Sequence, residues 1–426
     1  LIAMSSTEQA VTVGIDVGTS GVRAVALSAQ GIAVAFAASP FTPEQTRLPA
    51  AWRDGVWKCL RDLATMASLS AVEGVAVDGT SGTVLSVDGS GQATGDVLMY
   101  NDRCPDDGIV QRIASVAPLD SPARGANSGL ARAIHLSRRA GATHVMHQAD
   151  WLLLQLGLQQ PTSDENNALK SGYDLHGECW PEWLEAAGME RAKLPIVRRA
   201  GAKLSKIGSI ATNLGLPPSC HFHAGTTDGC ASFLATGASR IGEGVTALGS
   251  TVVIKLASDR PISAPEFGVY SHRVQGFWLV GGASNSGGSV IRHLIGDDRL
   301  DELTRRLKPD QATGLHYYPL LKPGERFPVN DPEYPPQLLP RPDDDAVYFQ
   351  AILEGITQIE KRGYQRLKEM GAPTLTALRT VGGGARNSCW TRMRETALGV
   401  DFLEARSTEA AVGTASLVLA HLDGNP

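Results

Sequence analysis

Short apolar runs broken by glycine and small polar residues recur along the chain. The run VTVGIDV, Val11 to Val17, stops at a Gly-Thr-Ser tip, and VRAVALS resumes at Val22, which predicts a β-hairpin. GIAVAFAAS continues as a third strand after the Gln30-Gly31 turn. Trp52, Val56, Trp57, Leu60, Leu63 and Ala64 then recur at helical spacing. VEGVAVDGTSGTVLSVDGSG reads as strand, polar tip and strand, and a helix is expected from Ala149 to Leu156. SDENNALKSGY, Ser163 to Tyr173, is polar and irregular and is expected to be a loop. CHFHAGTTDGCASFLATGA reads as a strand, a Gly-Thr-Thr-Asp turn and a helix.

A second block opens at Gly242. GVTALGSTVVIKLAS is again strand, Gly-Ser-Thr tip and strand, and GFWLVGGASNSGGSVIRHLI is strand, Gly-rich turn and helix. A loop rich in proline runs from Pro319 to Pro342, and the longest amphipathic pattern follows it, VYFQAILEGITQIEKRGYQRLKEMG. ALRTVGGGARNSCWTRMRETALG predicts strand, Gly-Gly-Gly turn and helix, and STEAAVGTASLVLAHL a closing helix. The tip Gly18-Thr19-Ser20 echoes Gly249-Ser250-Thr251, each between two strands and each followed by a basic residue, Arg23 or Lys255. The expected fold is α/β: two duplicated domains, 11–237 and 242–424, with a cleft between them.

Composition narrows the function classes. The 426 residues are 42% hydrophobic and 19% charged, an ordinary balance for a globular chain of two or more domains. A net charge of −5 offers no basic field for nucleic acid or an anionic membrane, so neither is an expected partner. No apolar run approaches the roughly 18–20 residues of a membrane span. The opening LIAMSSTEQA lacks the basic region of a signal peptide. Six scattered cysteines without a C-x-x-C fit reduced thiols in a cytoplasmic enzyme.

The tips suggest chemistry. A tight Gly-Thr/Ser turn presents backbone N–H groups and hydroxyls together, and such nests bind phosphate oxygens. An aspartate beside one, here Asp16, can hold Mg²⁺ directly or through water. For a single tip a plain β-turn explains as much; two matching tips and GGGARN point to a nucleoside triphosphate. No G-x-x-x-x-G-K-[ST] loop is present, nor the H-R-D and D-F-G pair of protein kinases. VGGASNSGG matches a dinucleotide fingerprint only loosely.

GIDVGTSGVRAVALSAQG, AGTTDG, TALGST, VGGGARNSCW and EAAVGTA occur in this order between Val11 and Leu422. Together they resemble the FGGY carbohydrate kinases, of the group with the actin, hexokinase and Hsp70 nucleotide-binding (ribonuclease H-like) fold, and the ribulose and xylulose kinases in particular. The resemblance implies transfer of the γ-phosphoryl of ATP, with Mg²⁺, to a sugar hydroxyl. It makes Asp228 the catalytic base, although a residue before an apolar helix reads equally as an N-cap. Asp16 would stand near Mg²⁺ and the sugar. Gly18, Thr19 and Ser20 would meet the γ-phosphate, and Gly249, Ser250 and Thr251 would form the second phosphate hairpin. Gly382, Gly383, Gly384 and Asn387 would bind the nucleoside, with Trp390 either an apolar wall for adenine or a core residue. Ser81 is the candidate partner of a sugar hydroxyl. Asp102 reads as a sugar contact or as a solvated turn residue.

The small Thr80-Ser81-Gly82 tip, where xylulose kinases usually carry Gln-Met-His-Gly, suggests D-ribulose as acceptor, with D-xylulose or another sugar or polyol as the alternative. The chain departs from the family in having Arg132 and His135 where Lys and Trp are usual, and in being shorter than typical members. His221 and His223 form an H-x-H pair on a strand, read as core or interface histidines in the absence of a nearby third ligand. Cys230 reads as a small packing residue. A sensor on the same fold without chemistry is a further alternative, opposed by the presence of Asp16, Thr19 and Asp228. A monomer or homodimer is expected.

Overall fold

The computed structural model describes residues 8–424; the first residues of the opening examined above for a leader lie outside them. Contacts divide the chain into two units. The first holds the described residues up to Gly237, the segment Arg273–Gly276 and those from Glu409 on; the second holds Ala238–His272 and Phe277–Thr408.

The first unit is built on a seven-stranded sheet. Its order is Ala33–Pro40, Gly21–Ser28, Ala10–Gly18, Gly74–Gly79, His221–His223 and Lys203–Lys206, with Thr226–Thr227 continuing alongside Gly74–Gly79. The first three strands form an antiparallel meander, in which the apolar alternation expected from the sequence pairs Asp16 with Arg23 and Gly18 with Gly21. The strand Gly74–Gly79 pairs parallel with each of its neighbours, with Asp16 beside Asp78 and Thr226 also beside Asp78. The helix Pro49–Met66 buries Trp52, Val56, Leu60 and Leu63 of the six residues that its spacing singled out, while Trp57 is half-buried and Ala64 is exposed.

The second unit repeats the scheme. Within it the sheet runs Phe277–Ala283, Val252–Ser258, Glu243–Leu248, Ala377–Val381 and Asp401–Leu403. Again a hairpin feeds an antiparallel neighbour on one side and parallel strands on the other. The helix Asp345–Glu369 lies over this sheet, with Phe349, Ile352, Leu353 and Ile356 in the core. It also carries Glu360, whose carboxylate takes the buried Arg394 guanidinium at 2.6 and 2.7 Å.

The structure differs from the expected boundaries at the C-terminal end. The helix Ala410–Leu422 belongs to the first unit, packed on Ala10–Gly18, Gly74–Gly79 and Asp228–Ala235. Its small residues permit this: a Cβ on Gly413 would stand 1.8 Å from the Ala231 carbonyl oxygen. A linear repeat in sequence does not reveal that the last helix returns to the first sheet.

The stretch expected to be a loop, 163–173, is instead a strand, Thr162–Asp164, and a short buried helix, Glu165–Leu169. Each polar side chain there has a partner. Asp164 accepts from the N–H groups of Asn166 and Asn167, Asn166 pairs with both backbone groups of Arg273, and Glu165 takes the Arg273 guanidinium. Burial of polar groups is tolerated when they are hydrogen-bonded, and Arg273, the partner of Glu165 and Asn166, lies far away in sequence.

Arg394 and Glu360 provide a test of this packing. Removing one partner of a buried ion pair typically costs about 3–5 kcal/mol, whereas replacing both is far milder. Arg394→Met should therefore lower the calorimetric transition of the second unit strongly, and adding Glu360→Met should restore much of it. Equal melting of Arg394→Met and the parent would show that the pair contributes nothing.

Candidate active site

In the first unit, the C-terminal ends of three neighbouring strands bring carboxylates together. Asp16 lies near the end of Ala10–Gly18, Asp78 next to the end of Gly74–Gly79, and Asp228 directly after Thr226–Thr227. Asp16 and Asp228 were expected at the site; Asp78 was not. Its signal was present, since an acid interrupts an apolar strand two residues before the turn, as Asp16 does.

Asp78 is fully buried and accepts a hydrogen bond from Thr414 on the C-terminal helix. Burial pushes its carboxyl well above the usual carboxylate range, and the Asp16 charge adds to the rise. Burial pushes Asp16 up to about 6; protonated Asp78, as a hydrogen-bond donor, works against the rise, and the Asp228 charge works with it. Arg23 stands 3.6 Å from Asp16 and 3.4 Å from Glu409. Asp228 is the first residue of Asp228–Ala235 and not its cap: Thr227 caps the helix by accepting from the Cys230 N–H. Its Oδ1 accepts from the Gly229 N–H at 2.7 Å.

The Thr19-Ser20 tip is exposed and braced from outside. Thr46 donates to the Thr19 carbonyl, the Phe41 N–H to the Ser20 carbonyl, and Arg23 to the Ser20 hydroxyl. Ser81 follows Gly79-Thr80 at the end of the Asp78 strand, its hydroxyl oxygen buried without a hydrogen-bond partner. Asp102 is a latch: Arg47 donates to both of its oxygens at 2.8 and 2.6 Å, and the Met99 N–H donates to one. The Arg47 guanidinium holds its carboxyl below the usual range. Arg132, noted only as a departure in the sequence, is buried and ties three carbonyls together, those of Gly82, Tyr100 and Asp102.

The second unit holds a cavity of about 610 Å³. Gly249 and Ser250, from the tip between Glu243–Leu248 and Val252–Ser258, line it with Gly383, Gly384, Asn387 and Trp390. Gly382 makes the turn into it with φ 88°, against the Leu248 carbonyl. Thr251 completes the hairpin, which is braced by the N–H groups of Gly288 and Ser289 on the Gly249 and Ser250 carbonyls. Arg292 donates to the Ser250 hydroxyl at 3.1 Å and lines the cavity with Arg386; neither arginine was singled out from sequence. Asn387 caps Ser388–Leu398 through the Trp390 N–H and donates to Thr304. Trp390 is 3% exposed, with its indole N–H on Thr357, so it is a core residue that also lines the cavity.

Residues 244–421 match the sequence model of the FGGY family of carbohydrate kinases, C-terminal domain. The chain thus carries an FGGY carbohydrate kinase C-terminal domain. The members of that family are phosphotransferases with an alcohol acceptor. A gluconokinase of Bacillus licheniformis is 27% identical over 204 residues, a stretch of 43% of this chain and 39% of that protein. The xylulose kinase of Klebsiella pneumoniae is 23% identical over 435 residues, 95% of this chain and 89% of that one. Among solved structures, a xyloylose kinase from Brucella ovis superposes with a TM-score of 0.85 at 23% identity, covering 97% of this chain and 91% of its own. A Plasmodium falciparum glycerol kinase with ADP gives 0.80 at 13% identity, covering 99% and 91%. These likenesses establish the two-domain α/β fold of the actin and hexokinase type.

His221 and His223 lie on a strand, where His223 is buried with its Nδ1 on the Gly201 carbonyl. Among the described residues, no three His, Cys, Asp or Glu side chains could hold a metal by themselves. Cys230 is buried in packing, and none of the six cysteines is in a disulfide. No helix of the described residues is long and apolar enough to cross a membrane.

The carboxylate cluster has a stability consequence. Asp16 rises from 3.8 to about 6 on folding, so its contribution is stabilising at low pH and is lost as pH rises through about 6. Asp228 and Glu409 face it with negative charge, Arg23 with positive charge, and protonated Asp78 with a hydrogen bond. Without ligands, Asp16→Asn should be more stable than the parent by on the order of 2 kcal/mol near pH 8, and the gain should fade toward about pH 4. Calorimetry at both pH values checks this; a gain that does not depend on pH would contradict it.

Proposed function

We propose that this chain is an ATP-dependent kinase that phosphorylates a ketopentose. The observation that carries the reading is the gathering of Asp16, Asp78 and Asp228 at the ends of adjacent strands in the first unit. Phosphoryl transfer needs a base for the incoming hydroxyl and neutralisation of charge on the phosphates. Asp228 is the proposed base. Held at the first turn of its helix, it takes the proton of the sugar hydroxyl as the O–P bond forms.

The second unit is the proposed nucleotide side. Its cavity is large enough for a nucleotide, and the Gly249-Ser250-Thr251 hairpin with Arg292 suits phosphate oxygens. The Gly18-Thr19-Ser20 tip is the proposed contact for the γ-phosphate. Asp16 is the proposed protein ligand of Mg²⁺, and its oxygens suit a hard cation that keeps most of its ligands from water and phosphate. When bound, Mg²⁺ would neutralise the phosphate charge.

The polar surroundings favour an uncharged acceptor. Arg23, Arg47, Arg132 and Arg273 in the first unit are each engaged with carboxylates or carbonyls of the protein. A sugar acid, the substrate in the name of the gluconokinase relative, would meet three aspartates, while these four arginines are already committed. The Thr80-Ser81-Gly82 loop supports D-ribulose, and the xylulose kinases among the relatives support D-xylulose as the second reading. Six unpaired cysteines and a need for ATP support a cytoplasmic enzyme.

ADP release measured with D-ribulose, D-xylulose, glycerol and gluconate tests the acceptor, and turnover with gluconate alone would overturn the ketopentose reading. Asp228→Asn should lower kcat by roughly 10²–10⁴-fold, the usual contribution of a base, with ADP affinity unchanged by calorimetry. Parental turnover in that variant would remove Asp228 from the reaction. Asp16→Ala should abolish transfer, and Thr19→Ala should cost about tenfold, the loss of one hydroxyl donor beside backbone donors.

A further inference from the structure

We infer that Gln148 is a specificity-determining contact for the acceptor sugar, its side-chain N–H group donating to a substrate hydroxyl beside the Asp78 strand. This rests on the reading of the first unit as the acceptor side. Gln148 opens the helix Gln148–Gln155, and its side chain reaches over the end of the strand Gly74–Gly79. The contact with that strand is close: a Cβ on Gly79 would stand 3.0 Å from Gln148 Oε1.

The orientation of the amide follows from its neighbours. The Thr80 N–H donates to Gln148 Oε1 at 3.0 Å, and an N–H facing it would oppose two donors. The Thr80 hydroxyl also lies 2.9 Å from Oε1 and therefore donates to it. Thr80 must then accept from Thr83, 2.6 Å away, whose own hydroxyl oxygen accepts the Tyr100 N–H. This chain of donors runs in one direction and leaves Gln148 Nε2 as the unused end. Nε2 is buried, in a residue 1% exposed, and has no hydrogen-bond partner among the described residues. A buried N–H without an acceptor is unfavourable, so such a group in a native structure calls for a partner.

Ser81 Oγ, next along the loop, is likewise buried without a hydrogen-bond partner. Two unfilled polar groups thus belong to this turn and to the helix residue that holds it, next to the strand ends where the carboxylates gather. The turn is also immobilised. Arg132 holds the Gly82 carbonyl at 2.8 Å from one side while Gln148 holds Thr80 from the other. A rigid turn with a fixed donor suits recognition of one hydroxyl among several, because an acceptor lacking that hydroxyl leaves the N–H buried and unpaired. Periodicity conceals this glutamine, which reads as an ordinary residue at the start of a helix.

The test compares the parent with Gln148→Met and Thr80→Val. Each is assayed with D-ribulose and D-xylulose, and with the monodeoxy forms of whichever ketose the parent phosphorylates. Gln148→Met should raise KM for the ketose about tenfold or more, with KM for ATP unchanged. One deoxy sugar should cost the parent about tenfold in kcat/KM and cost Gln148→Met almost nothing, a coupling that identifies the hydroxyl held by Nε2. Thr80→Val should keep the full penalty for that deoxy sugar, because it loosens the turn without removing the donor. If every deoxy sugar costs Gln148→Met the same factor as the parent, Gln148 only props the loop and the proposal is overturned. Should Gln148→Met fail to fold, Gln148→Asn carries the same comparison with the amide on a shorter stem. A parent that phosphorylates neither ketose overturns the acceptor reading, and this proposal with it.

Discussion

Parallel pairing of the strand Ala10–Gly18 with Gly74–Gly79 sets the register on which the rest of the first unit depends. It places Asp16 directly beside Asp78, and the continuation of Gly74–Gly79 alongside Thr226–Thr227 brings Asp228 to the same end. Like charges in a buried place repel, and burial penalises each of them further. The protein tolerates the cluster by keeping Asp78 in its neutral form, by the Thr414 hydroxyl and by Arg23 at the edge. Cation and phosphate chemistry would be strongest at such a place, because the dipoles and charges are already arranged before a ligand arrives.

The C-terminal helix connects this cluster to the far end of the chain. Thr414 reaches Asp78 only because Gly413 and its small neighbours let the helix lie directly on the sheet and on Asp228–Ala235. The same helix therefore supports both the strand that carries Asp78 and the helix that starts at Asp228. A bulkier side chain at Gly413 would act on the carboxylates without touching any of them.

Arginines play unequal parts in the two units. In the first, Arg132 and Arg47 organise loops, one through carbonyls and the other through Asp102, so their charges are used up inside the protein. In the second, Arg292 and Arg386 line the cavity, and Arg292 donates to a serine hydroxyl of the phosphate-type hairpin. That asymmetry supports the proposal of an uncharged ligand in one unit and an anionic one in the other more clearly than the overall charge of −5 does.

The order of strands and helices, the two Gly-Thr/Ser hairpins and the duplicated scheme were legible in the sequence, because each depends on local alternation, helical spacing or a turn between neighbours. Asp16 stood out as an acid ending an apolar run beside a glycine tip, and Asp228 through the resemblance of its AGTTDG segment. Only the tertiary structure decided what depends on partners distant along the chain. Asp164, Glu165, Asn166 and Asn167 read as a solvated loop and are buried, since Arg273 and Thr226 complete their hydrogen bonds. Asp102 is committed to Arg47, Asn387 to a helix cap and Thr304, and Trp390 to the core, none of which composition or spacing expresses. Local pattern determines which segments form elements, whereas charge pairing and burial belong to the register and packing between them.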